Sequence, residues 1–223
     1  MPNIISAKNV AFKYPSDSTF VLNNLNLMIP QGSFSFIVGS SGSGKTTLLK
    51  TLYGELLCQS GELHVCGLKM NAIHQNHLNV LRRHIGIVFQ DYKLIDEWTI
   101  EENVILPLKI QNFSRSTCRQ QAEKLLSHVK LLHKSKRYPY ELSGGEQQRI
   151  GLARAMAHNP LVIIADEPTG NLDHYSSEVI WNLLINANQH LGTSIIVATH
   201  QIPSLAPLNH LCFQLKNGQC FEY

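Results

Sequence analysis

The sequence predicts an α/β fold in which a mostly parallel sheet packs between helices, with an antiparallel β layer at its start and a helical insert in its middle. Short β-rich apolar runs at residues 33–38, 85–89, 161–165 and 194–198 carry that prediction, each bounded by turn or charged residues. The last three lack strict polar alternation, as strands buried on both faces should. Between them, Ala122, Leu125, Leu126 and Val129 recur at helical spacing, and Ser116 is the expected cap of that helix.

In chain order, residues 1–30 are expected to form the antiparallel layer, and residues 33–38 a strand that leads into a glycine-rich loop. A helix is expected over 47–53, a helical insert over 91–142 and a further helix over 146–158. The closing stretch, 211–223, predicts a hairpin turning at Asn217-Gly218, the dipeptide that best tolerates two left-handed residues. At 223 residues, 43% hydrophobic and 16% charged, the chain is long enough for one substantial core and too short for two large domains. A single domain over 1–223 is therefore expected, with a helical lobe at about 91–158.

Composition narrows the function. No apolar run approaches the roughly 18 residues that span a bilayer, and the first ten residues lack the layout of a secretory signal, so a cytoplasmic chain is expected. The five cysteines, Cys58, Cys66, Cys118, Cys212 and Cys220, form no CxxC pair and are expected to be reduced and mostly structural. A net charge of +3 without a Lys/Arg block gives no reason to expect nucleic acid as the partner. The eleven histidines fall in no HExxH or Cys/His-rich cluster and are expected to be solvated or in the core.

Residues 39–46 read GSSGSGKT, fitting G-x-x-x-x-G-K-[ST] directly after an expected strand and before a helical run. Gly39, Gly42 and Gly44 let the backbone wrap closely, so that the N–H groups of Ser40, Ser41, Ser43 and their neighbours can point inward. The helix that follows through Thr47 offers its positive end to phosphates. Lys45 supplies a point charge to β and γ oxygens, and the Thr46 hydroxyl can ligate Mg²⁺. The ligand expected here is ATP with Mg²⁺.

Phosphoryl transfer leaves the protein mainly positioning and charge stabilisation, so an acidic site is expected at the end of a neighbouring buried strand. Asp166-Glu167 after the 161–165 run fits: Asp166 to hold Mg²⁺ through its water shell, Glu167 to polarise the attacking water. Adjacent carboxylates can also be a solvated strand end; beside a phosphate loop the catalytic reading takes precedence. Ser143, Gly144 and Gly145 precede another helical run and make a second anion-binding helix start.

The run LSGGEQQR at 142–149 resembles the signature motif of the ABC ATPases. The resemblance implies a RecA-like phosphate-loop NTPase core with an antiparallel β layer and the helical insert specific to that family. It further implies that Tyr14 stacks on adenine, that Gln90 links the metal to a transmembrane partner, that GNLD, ending at Asp173, runs between protomers, and that His200 senses the γ-phosphate. Taken singly, Tyr14 is equally an edge-strand aromatic, Gln90 a surface glutamine and His200 a structural histidine; their joint order separates the readings. Two protomers are implied to pair head to tail, each signature closing over the other's ATP. Gln201 departs from the pattern, which commonly has an acid after the switch histidine, and that puts local pairing at the protomer interface in doubt.

Three stretches, LRRHIGIVFQDYKLI, TIEENVILPL and IADEPTGNLD, resemble the branch serving cell division, lipoprotein release and macrolide-type efflux, and the Arg82-Arg83 and Gln90-Asp91 pairs favour its cell-division members. This implies a stand-alone ATPase, peripheral on the inner face of the cell membrane, that moves a permease-like integral membrane partner. Tyr92, Leu94 and Trp98 are the expected wall of the groove receiving that partner's coupling helix. A DNA- or ribosome-acting member would carry a long coiled-coil insertion or a second cassette, and neither is present. A nucleotide-gated module without turnover would not need both Glu167 and His200.

Overall fold

The computed structural model of the chain describes residues 2–223. It opens with β1 (Asn3–Phe12) and β2 (Leu22–Pro30), an antiparallel pair, then β3 (Phe34–Val38) and α1 (Lys45–Leu52). β4 (Ser60–Val65), β5 (Leu68–Lys69), α2 (Gln75–Arg82) and β6 (Ile85–Val88) follow, and then the helical lobe: α3 (Ile100–Ile110), α4 (Arg115–His128) and α5 (Gly144–Met156). The chain returns through β7 (Val162–Asp166), α6 (His174–Leu191), β8 (Ser194–Thr199), β9 (His210–Lys216) and β10 (Gln219–Glu222).

Two sheets result. The first, ordered β2-β1-β4-β5, is antiparallel; the second, β10-β9-β3-β8-β7-β6, is parallel except at its β10 edge. Every residue of β3 and β8 is buried, which explains why both are mostly apolar with only the small polar residues Ser35, Ser194 and Thr199 among them, whereas β2 alternates buried and exposed positions because one face meets solvent. One apolar cluster, with Ile5, Leu25, Ile29, Leu48, Ile164 and Ile196, fills the space between the sheets and beneath α1. A second, with Phe36, Ile163, Val197, Trp181 and Leu184, joins the other face of the parallel sheet to α6. A third, with Ile100, Val104, Ala122, Leu126 and Ile150, holds the helical lobe together.

Several boundaries shift for local reasons. The loop at 39–44 winds straight into a first turn, so α1 begins at Lys45 rather than Thr47. Ser143 caps α5, and Gly144 and Gly145 are its first helical residues instead of preceding it. The cap of α4 is Ser114, whose Oγ accepts the Thr117 N–H at 3.2 Å; Ser116 already lies inside the helix. The lobe's helices start only at Ile100, where Thr99 and Glu102 form a reciprocal capping box. The irregular stretch before them is fixed by buried Asn103, which accepts from the Ile95 N–H at 2.8 Å and donates to the Ile95 carbonyl at 3.0 Å. The expected hairpin is present, with Asn217 and Gly218 at φ 51° and 75° between β9 and β10.

No helix among the described residues is long and apolar enough to cross a membrane. All five cysteines are free, and burial pushes the thiols of Cys58 and Cys66 up to about 11 and that of Cys220 up to about 12. At pH 7 these thiols are protonated and poor nucleophiles.

β6 lies so close to α5 that a methyl group at Gly86 would press into the Ala155 carbonyl oxygen. Gly86→Ala is expected to cost about 1–3 kcal/mol, the usual range for overpacking. The check is the urea midpoint, where no change would mean that the two elements can separate freely.

Candidate active site

Three strands that share one direction end together. In the register of the sheet Val38 of β3 lies opposite Thr199 of β8, and Asp166 of β7 lies opposite Ala198. The loop after β3, the acidic pair after β7 and the histidine after β8 therefore converge at the carboxyl edge of the sheet, where α/β folds place their ligands. The convergence forms a cleft of about 570 Å³ lined by Tyr14, Ser41, Gly42, Gly44, Lys45, Thr46, Thr47, Gln90, Asp166, Glu167, Gly170 and His200, together with Val21.

The loop's shape follows from its glycines. Gly42 and Gly44 have φ of 77° and 99°, backbone that a side chain strains. Gly39 is required for space: a methyl there would meet Ser43 Oγ at 2.5 Å and the Leu215 carbonyl at 2.7 Å. Lys45 donates to the carbonyl oxygens of Gly39 at 2.7 Å and Ser40 at 3.2 Å, and its Nζ stands 3.9 Å from Glu167 Oε1. The ammonium is thus held across the mouth of the loop, facing the cleft. Tyr14, beyond the end of β1, is steadied by a 3.1 Å hydrogen bond between its hydroxyl and that of Thr47 and by an edge-on contact with Phe12.

Thr46 Oγ1 donates to Asp166 Oδ2 at 2.8 Å. A hydroxyl and a carboxylate converging in a cleft that also holds Gln90 make a set of hard oxygen donors, the chemistry that suits Mg²⁺. The titration of Asp166 agrees: burial raises its carboxyl above the usual range and neighbouring Glu167 adds to this, with only part offset by Thr46 and Lys45. This cluster of negative charge is stabilised by a cation, so the residues present fit the metal.

Glu167 adopts φ 43°, a left-handed conformation uncommon for a residue with a long side chain. The turn is pinned by its N–H donating to the Ala198 carbonyl at 2.9 Å and by the Gly170 N–H donating back to its carbonyl at 3.1 Å. His200 Nδ1 lies 3.0 Å from Glu167 Oε2, so with its proton on that nitrogen the ring donates to the carboxylate. Thr199 escaped the sequence reading. Its hydroxyl stands 3.4 Å from the same Glu167 oxygen, accepts the Gln201 N–H at 3.3 Å and lies 3.0 Å from the Gln201 carbonyl. Its place between a buried strand and His200 was the available signal.

The second anion site is not part of this cleft. Ser143 Oγ accepts the Glu146 N–H at 3.3 Å while Glu146 accepts the Ser143 N–H at 3.0 Å. Burial pushes the Glu146 carboxyl up, but its bonds from Lys134 and the Ser143 N–H outweigh this and hold it below the usual range. Asp173 caps α6 through the Ser176 N–H at 2.9 Å, and that bond holds its carboxyl down. Gly144 and Gly145 open α5 beside these groups, so Ser143, Gly144, Gly145 and Asp173 sit together but apart from the phosphate loop of the same chain.

A further cleft of about 620 Å³ lies between the parallel sheet and the helical lobe, walled in part by Arg82, Arg83, Phe89, Lys93, Ile110 and Arg154. Tyr92, Leu94 and Trp98 do not line it. The Tyr92 carbonyl accepts from Arg154 at 2.7 Å, Leu94 packs on the helical core, and Trp98 lies beneath the Lys109 ammonium at 5.4 Å. The Tyr92 main chain, Leu94 and Trp98 contact the helical lobe, and this cleft is built mainly from α2, β6, α3 and α5.

A glycine-rich loop between a strand and a helix, its threonine hydroxyl facing a half-buried aspartate and the glutamate after it at the end of a nearby parallel strand, defines a phosphate-loop nucleoside triphosphatase. A family model described as ABC transporter matches residues 22–170. The chain is 41% identical over 217 residues to the cell division ATP-binding protein FtsE of Streptococcus pneumoniae serotype 2 (strain D39 / NCTC 7466), covering 97% of this chain and 94% of that protein. It is 38% identical over 216 residues to the lipoprotein-releasing system ATP-binding protein LolD of Buchnera aphidicola subsp. Acyrthosiphon pisum (strain APS), covering 96% and 94%. Among solved structures, a dimeric post-hydrolysis state of the ATP-binding cassette MJ0796 bound to ADP and Pi superposes with a TM-score of 0.89 at 36% identity, covering 98% of this chain and 97% of the other. The chain belongs to the ABC transporter ATP-binding family and is an ATPase.

Because the Asp166 carboxyl is held above its ordinary range, the folded state binds that proton more tightly than the unfolded one, and ionising it destabilises the fold. The penalty is absent below the ordinary carboxylate pKa and is fully developed once the pH has risen past the raised one. Asp166→Asn is therefore expected to raise the nucleotide-free melting temperature at pH 7. Melting curves recorded across pH decide it, since the gain must shrink towards acid; a constant difference would place the effect outside this carboxyl.

Proposed function

We propose that the chain is the ATP-hydrolysing subunit of a membrane complex of the cell-division type, acting with an integral membrane partner like FtsX to regulate peptidoglycan hydrolysis. The observation that carries hydrolysis is the pinned Glu167, with Lys45 on one side and His200 on the other. The likeness to the pneumococcal FtsE along nearly the whole of both chains supports the cell-division reading. The similar likeness to LolD supports a second reading, in which the same engine drives lipoprotein release.

In the mechanism, Tyr14 stacks on the adenine and the N–H groups of the loop from Gly39 to Thr46 cradle the phosphates, with Lys45 placed for the β and γ oxygens. Thr46, Asp166 and Gln90 would hold Mg²⁺, which would offset charge on the phosphate oxygens. Glu167 accepts a proton from the attacking water, and His200 orients both that carboxylate and the γ-phosphate. Ser143, Gly144 and Gly145 lie apart from this cleft, and two protomers paired head to tail, each signature closing on the partner's ATP, bring them in; that MJ0796 is dimeric supports the pairing. Asp173 then lies along the protomer boundary. Closure is transmitted to the membrane partner through the groove walled by Arg82, Arg83, Phe89 and Ile110, with Gln90 at its edge towards the nucleotide, and the chain works peripherally on the inner face of the membrane.

Glu167→Gln is expected to slow ATP turnover by roughly 10² to 10⁴ fold, the range for loss of a general base, with ATP binding retained. Steady-state hydrolysis and nucleotide binding on the same preparation read this, and unaltered turnover would remove Glu167 from the role. The same variant, held with ATP and purified from native membranes, is expected to retain a small membrane protein of the FtsX type. Recovery of a lipoprotein-release permease instead would select the second reading.

A further inference from the structure

Gln148 lies in the second turn of α5 and is only 1% exposed. Its Nε2 donates to the carbonyl of Pro168 at 2.8 Å, and Pro168 directly follows Glu167. The other end of the same amide, Oε1, is buried without a hydrogen-bond partner among the described residues. An orphaned acceptor weakens a fold, and an apolar side chain of similar volume would fill the position without one. What the amide alone supplies there is the N–H that reaches the loop carrying Glu167.

That loop is gripped at its far end by the same helix. A methyl at Gly145 would meet Ser176 Oγ at 2.6 Å, so the start of α5 rests on Ser176, whose hydroxyl donates to Asp173 at 2.7 Å. Between the two grips, the Glu167 backbone is in its left-handed conformation, one that persists only where surrounding structure over-determines it.

We propose that Gln148 is a positioning residue for Glu167: it ties the signature helix to the loop of the carboxylate, so that a signature engaged on the partner's nucleotide sets the base over its own. This rests on the head-to-tail pairing proposed above. When the signature closes, α5 moves as a unit and Gln148 carries the Pro168 carbonyl with it. A protomer whose signature is disengaged then lacks this restraint from the partner's site on its Glu167 loop, and the two sites fire in concert.

The test is ATP hydrolysis by the purified chain across ATP concentration, for wild type, Gln148→Met and Gln148→Glu. Both variants keep the volume and lose the donor, one without charge and one with it. The expected result is a Hill coefficient falling from about 2 to about 1 and a kcat about tenfold lower. Affinity for a fluorescent ATP analogue and the melting temperature of Gln148→Met should stay at wild-type values. Cooperativity that survives in both variants, or a kcat that falls only in step with the melting temperature, overturns the tie. The pairing itself is read separately, by light scattering of the Glu167→Gln protein with ATP: a monomer there overturns the head-to-tail reading and the tie with it, whereas a dimer with cooperative variants overturns the tie alone.

Discussion

The active site depends on the shared direction and register of β3, β8 and β7. Because these strands are parallel and paired in register, their carboxyl ends stop at one level, and three segments distant in sequence begin within reach of each other. Thr46 and Asp166 are 120 positions apart in the chain yet meet through a 2.8 Å hydrogen bond. Complete burial of β3 and β8 fixes this register, since a slip of one residue would exchange the faces that pack on the two apolar clusters. The chemistry is thus positioned by strand packing, and the loops contribute side chains to a location already set.

That location concentrates polar atoms whose requirements this chain alone leaves open. Asp166 and Glu167 bring two carboxylates to one strand end, with the Lys45 ammonium bonded to loop carbonyls and 3.9 Å from Glu167. Ser43 Oγ is buried in the loop without a partner among the described residues, and so are one nitrogen of Arg149 and one oxygen of Gln148 on the signature helix. Buried polar groups of this kind lower stability and are tolerated where a ligand or a motion makes use of them. One falls on the loop and two on α5, and a fourth, His158 Nδ1, lies just past the end of that helix.

Much of this was legible from the residues because it depends on local pattern. The phosphate loop, the acidic pair, the buried strands and the Asn-Gly hairpin are each written in a few consecutive positions. What escaped depends on contacts between segments. Thr199 fell just beyond the strand expected at 194–198, and only the pairing of β8 with β7 sets its hydroxyl against Glu167. Tyr92, Leu94 and Trp98 were expected to wall the groove for a membrane partner, and the cleft beside β6 is instead lined by Arg82, Arg83, Phe89 and Ile110, which only the packing of α2 and α3 against β6 brings together. Ser116 was the expected cap, and the cap is Ser114 because the backbone enters the helix one residue after it, at Arg115.

The left-handed backbone at Glu167 has a consequence for the protein's history as much as for its chemistry. A glutamate there is held at φ 43°, where glycine or asparagine would rest more easily. Selection for robustness alone would push the position towards those residues, and on the role proposed above for Glu167 it is selection for turnover that keeps the carboxylate in place. A lineage or laboratory library freed from the need to hydrolyse ATP is accordingly poised to lose its base early and become a sturdier nucleotide-binding relic, with a fold that gives little outward sign of the change.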